Sequence, residues 1–170
     1  HAMDVKFIEF DESILDSQIQ KNTLLVKDFD LNQNVQPGVM DSKNGSYVLS
    51  MIAYAVKGCL DDRFSGCVTG PVNKEAIIKS GYAFSGHTEY IGKLCGKTPV
   101  MSFVSDQMKI ALLTTHLPLK EVPAHITSER IIDVVNIIYT DLKNYFGIKK
   151  PKIGIVGLNP HAGENGHIGK

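Results

Sequence analysis

The 170-residue chain is short of the features that mark several protein classes. No window approaches the roughly 18 consecutive apolar residues of a membrane-spanning helix, so no membrane partner is expected. Lysine plus arginine number 18 and aspartate plus glutamate 18, and like charges form no blocks. That balance leaves no electrostatic footprint for nucleic acid or an anionic lipid surface. The three cysteines, Cys59, Cys67 and Cys95, are odd in number and lack Cys-x-x-Cys spacing. This is the usage of a reduced, cytoplasmic protein, and no signal-peptide pattern is visible. Gly-x-Gly-x-x-Gly is missing, because Gly163, Gly166 and Gly169 have the wrong spacing, and the terminal Gly169-Lys170 lacks the upstream glycine of a phosphate loop. Gly-x-Ser-x-Gly is missing too, as are internal repeats and low-complexity tracts. His1-Ala2-Met3 reads as a vector remnant and carries no weight.

What remains is an ordinary globular composition, 43% hydrophobic, enough for one domain or one domain plus part of a second. Alternation from Val5 to Phe10 predicts a strand, and Leu24 to Val26 a second. Asp28 to Gly38 is turn chemistry. Ser46 to Leu60 predicts an amphipathic helix with Val48, Met51, Ile52, Ala55, Cys59 and Leu60 on one face. Gly66 to Thr69 reads as a short strand entering Gly70-Pro71-Val72-Asn73-Lys74-Glu75, with a helix over Lys74 to Lys79. Thr88 to Leu94 is a second short helix that Thr88 could cap. Val100 to Ser105 and Lys109 to Thr115 are apolar strands around a possible hairpin turn at Asp106-Gln107. Thr127 to Phe146 predicts the longest helix, with Thr127 as N-cap and Gly147 as its stop. Lys152 to Gly157 closes the series as a strand. Alternating strands and helices predict an α/β fold, layered α/β/α with a mostly parallel sheet.

The chemistry gathers in polar motifs near the ends of apolar runs. Thr114-Thr115-His116-Leu117-Pro118-Leu119 and Gly157-Leu158-Asn159-Pro160-His161-Ala162-Gly163-Glu164 follow predicted buried strands. Ligands in open α/β sheets bind outside such carboxyl ends, so His116 and His161 could share a pocket. Two neutral imidazoles there suit a divalent metal. His87, between Gly86 and Thr88 at a helix start, could meet a phosphate or carboxylate. Asn73 and Lys74 form a possible ligand loop, although an ordinary solvated lysine reads equally well. His125 reads as a surface residue, and His167 stays open as a loop residue near the metal candidates. No residue is singled out as catalytic acid or base, or as a cofactor contact.

Taken together, Gly70 to Glu75, Ser85 to Glu89, Thr114 to Leu119, Phe146-Gly147-Ile148 and Gly157 to Glu164 resemble the 4-hydroxythreonine-4-phosphate dehydrogenases of pyridoxal phosphate biosynthesis. The resemblance is dense from Gly66 to Gly169 and loose before it. It implies a fold like isocitrate and isopropylmalate dehydrogenases; residues 4–80 are expected to form part of a first α/β domain and 81–170 part of a second. It also implies NAD as oxidant, a divalent metal such as zinc, magnesium or cobalt, and a homodimer. The implied reaction oxidises 4-phosphooxy-L-threonine to a 3-oxo acid, which loses carbon dioxide to give 3-amino-2-oxopropyl phosphate. By the same resemblance His87 and Thr88 contact substrate, and His116 and His161 hold metal.

The family's third metal histidine, in a Tyr-His-Asp-Gln motif, and its later Lys, Asn and Arg substrate residues have no counterpart before Lys170. The expectation is therefore a truncated central fragment, inactive by itself. Other readings are a threonate or erythronate 4-phosphate dehydrogenase, a non-catalytic metal- or phosphate-binding module, and a metal hydrolase.

Overall fold

The computed structural model describes residues 4–14 and 19–167. The tripeptide 1–3 and the terminal Gly169-Lys170 lie outside the described residues. The chain divides between Thr98 and Pro99 into two compact units.

In the first unit, strands β1 (Lys6–Glu9) and β2 (Thr23–Val26) pair in parallel, Lys6 opposite Thr23 and Glu9 opposite Val26. A 3-10 turn over Ser42–Asn44, capped by the Asp41 carboxylate on the Lys43 N–H at 2.9 Å, leads into α1 (Gly45–Leu60). The buried stripe of α1 is Leu49, Ile52 and Val56, spaced as one helical face. That face is rotated from the one read off the sequence: Ile52 is common to both, whereas Leu60 is exposed. α1 is apolar on most sides, so periodicity alone leaves the face undecided, and packing chooses it. Leu49 forms a core with Ile77 and Phe84, backed by Val48, Val72 and Tyr90.

Around the other end of α1, Phe10, Phe29, Tyr54 and Phe64 form edge-on and tilted aromatic pairs 5.5–6.0 Å apart. Arg63 lies over Tyr54 and Phe64 and pairs with Glu12, so the exit of β1 is tied to the helix. The N–H groups of Arg63 and Phe64 donate to the Gly58 carbonyl at 2.8 and 3.0 Å, reversing the chain. The strand expected at Gly66 to Thr69 has no ladder among the described residues, and Val68 is fully exposed. Helices α2 (Lys74–Lys79) and α3 (His87–Leu94) follow.

In the second unit, β3 (Ser102–Val104) and β4 (Lys109–Ala111) make the hairpin, antiparallel, with Ser102 opposite Ala111. β4 stops at Ala111 and is mostly exposed, which corrects the buried parallel strand expected to run up to Thr115 before His116. The short α4 (Val122–His125) precedes α5 (Ser128–Asn144). Thr127 caps α5 by accepting the Arg130 N–H at 3.1 Å. Gly147, at φ 67°, ends the turn, and the Ile148 N–H folds back onto the Leu142 carbonyl at 3.0 Å. Val134 on α5 is buried, and its stripe lines a largely apolar cavity of ≈ 740 Å³ with the hairpin and residues 151–156.

The strand expected at Lys152 to Gly157 has no ladder among the described residues, and Val156 is 90% exposed. An apolar β-branched run favours a buried strand but does not suffice, since a strand exists only where a neighbour completes its hydrogen-bond ladder. The described ladders are thus one parallel and one antiparallel pair.

Candidate functional site

In the first unit the polar motifs meet at the start of α3. Gly86 is the N-cap residue of that helix, buried and extended (φ 168°). A Cβ at Gly86 would stand 3.1 Å from Glu89 Oε2 and 3.7 Å from Lys74 Nζ, so both charged groups approach this backbone closely. His87 is partly buried and stacks edge-on against Phe84 at 6.1 Å. Its Nε2 is buried with no hydrogen-bond partner among the described residues. A buried ring nitrogen left unpaired costs about 1–3 kcal/mol, so such an atom calls for a ligand or water. Thr88 is exposed and sits inside the first turn; no side chain caps α3, which corrects the expected Thr88 cap. Asn73 caps α2 by accepting the Ala76 N–H at 2.9 Å. Of the Asn73-Lys74 pair, the ammonium is what lies near Gly86.

In the second unit His116 is exposed and left-handed, at φ 57°. That conformation costs a non-glycine residue roughly 1–2 kcal/mol, and histidine is among the residues that tolerate it. Arg130 of α5 donates from Nε to the Leu113 carbonyl at 3.0 Å, anchoring the segment that delivers His116 to the first turn of the helix.

His161 is exposed as well, and its backbone is more elaborately held. The Asn159 carboxamide oxygen accepts the N–H groups of His161 at 3.1 Å and Gly163 at 3.4 Å. Ala162, Gly163, Glu164, Asn165 and Gly166 are all left-handed, with φ between 40° and 89°. This curl brings Glu164 back over His161, and Glu164 Oε1 lies 2.6 Å from His161 Nδ1. Sequence reading passed over that partnership, although a histidine and a glutamate three positions apart in a glycine-rich turn are its signal. His125 gives its Nδ1 to the Glu121 carbonyl at 2.9 Å, as a surface helix-end contact. His167 is exposed beside the same curl.

Among the described residues no group of three or more His, Cys, Asp or Glu is placed to hold a metal ion. The donor chemistry of His116 and His161, two accessible imidazoles, suits a borderline divalent cation, but such an ion takes about four ligands. The chain's described residues would therefore contribute only part of a coordination sphere.

Residues 2–170 match the family described as "Pyridoxal phosphate biosynthetic protein PdxA". The chain belongs to this family. A 4-hydroxythreonine-4-phosphate dehydrogenase of Marinobacter nauticus is 48% identical over 134 residues, covering 78% of this chain and 40% of the relative. The enzyme of that name from Vibrio cholerae is 44% identical over 170 residues, covering 99% of this chain and 51% of the relative. Among solved structures, the Klebsiella pneumoniae enzyme superposes with a TM-score of 0.78 at 29% identity, over 95% of this chain and 50% of that one. The Burkholderia phymatum enzyme gives 0.73 at 28%, over 96% and 49%. The α/β fold is therefore that of these dehydrogenases, and the chain spans about half the length of the PdxA relatives it matches.

Proposed function

We propose that this chain is part of a 4-hydroxythreonine-4-phosphate dehydrogenase, and that the whole protein, a homodimer, oxidises 4-phosphooxy-L-threonine with NAD. Family membership over residues 2–170 is the observation that supports it most. In this reading the substrate hydroxyl carbon gives up a hydride and its oxygen a proton. The resulting 3-oxo acid is a β-keto acid and loses carbon dioxide.

The residues of the chain divide the work. His87, whose buried Nε2 has no partner among the described residues, and the exposed Thr88 bind polar groups of the substrate. The α3 N-terminus and the Lys74 ammonium favour a negative group near Gly86, where a substrate anion would compete with the Glu89 carboxylate that lies closer still. His116 and His161 would hold the divalent metal, which when bound lowers the pKa of a coordinated hydroxyl. Among the described residues no complete metal centre forms, so in this reading further donors would be needed to complete the coordination sphere.

Steady-state kinetics on the full-length protein, following NADH, test this reading. Turnover of 4-phosphooxy-L-threonine with a kcat/KM well above that of threonate 4-phosphate is expected. Preference for the threonate would move the assignment to a sister dehydrogenase, and phosphate release without NADH would point to a hydrolase.

A further inference from the structure

We propose that Glu164 is a positioning residue for His161, fixing the ring tautomer that leaves the Nε2 lone pair free for a ligand. The inference rests on the reading of His161 as a ligand-binding residue and adds a role for its neighbour.

The chemistry follows from the 2.6 Å contact between Glu164 Oε1 and His161 Nδ1. An ionised carboxylate can only accept, so the hydrogen lies on Nδ1, and the neutral ring then has its lone pair on Nε2. Imidazoles that ligate metals commonly donate their other N–H to a carboxylate in this way, which orients the ring and raises its basicity.

The side chains are 62% and 51% exposed, and a solvated pair of this kind is held weakly by its charges alone. Here the backbone does the holding. Asn159 accepts the N–H groups of His161 and Gly163, and the Glu164 N–H donates to the His161 carbonyl at 3.1 Å. Three non-glycine residues, Ala162, Glu164 and Asn165, take left-handed φ values in the same curl. Strain of this kind persists only where surrounding contacts over-determine it, and it collects at ligand sites.

The test uses the intact chain labelled with nitrogen-15. Long-range proton–nitrogen spectra distinguish protonated from bare ring nitrogens, and zinc serves as the probe ligand. In the parent chain His161 should be protonated on Nδ1, and zinc should perturb Nε2. Glu164→Ala should give a tautomer mixture and weaken zinc binding by about tenfold to a hundredfold. Glu164→Gln keeps an acceptor and should retain the tautomer. Backbone spectra of α5 report whether either variant remains folded.

A tautomer that does not change in Glu164→Ala overturns the proposal. So does equal loss in the Ala and Gln variants, which would mark a merely structural role. A Glu164-dependent tautomer with no zinc response at Nε2 supports the positioning role and overturns the metal reading of His161.

Discussion

Gly58 shows how a single residue can be set by a neighbour rather than by its own helix. In the interior of α1 alanine would ordinarily be favoured over glycine by up to about 1 kcal/mol. Here a Cβ would overlap the Phe64 ring, which lies directly on Gly58. Overpacking costs typically about 1–3 kcal/mol, so the steric effect wins and Gly58→Ala should be destabilising in urea unfolding. A stabilised variant would mean that Phe64 swings away freely. Chemical reactivity is graded at the same scale. Burial, followed by the neighbouring Cys67 and Cys95 thiols, pushes the Cys59 thiol above its usual range, while Cys67 is exposed. Iodoacetamide at mildly alkaline pH should therefore modify Cys67 before Cys59, and mass mapping of the alkylated peptides checks the order. Of the site residues, His87, Thr88, His116 and His161 stood out in the sequence because each sits in a polar motif near the end of an apolar run. Glu164 did not, because its role depends on a left-handed curl that no residue-type preference announces.

Helices were legible and strands only partly so, for a physical reason. The bounds of α2 and the N-cap and glycine stop of α5 follow from residues within a turn of each other. Thr127→Ala should cost about 1 kcal/mol in thermal or denaturant unfolding, the usual value of an N-cap. No change would indicate that water replaces the cap. The hairpin of β3 and β4 was readable too, since its partners are adjacent in sequence. Residues 66–69 and 152–157 carry strand-like composition, yet no ladder forms for them among the described residues, because pairing depends on distant segments. Which face of α1 is buried was hidden in the same way. Ile77 of α2 is 1% exposed in the core that decides it. Ile77→Ala should remove about 2–5 kcal/mol. A loss below 1 kcal/mol, read from the urea midpoint, would contradict the assignment of that core.

At the scale of the whole molecule, family and α/β fold were legible because five ordered segments occur in one chain, and the match extends over residues 2–170. The expected fragment agrees with a chain that spans about half the length of the relatives it matches. The claim on which the chemistry depends is that His116 and His161 serve one cation. Zinc affinity of the full-length protein, measured by calorimetry for His116→Ala, His161→Ala and the double variant, tests it most directly. Residues acting on one ligand are non-additive. A shared site predicts that either single change removes most of the affinity and that the double change removes little more. Losses that simply add, or zinc binding that survives both changes, would contradict it.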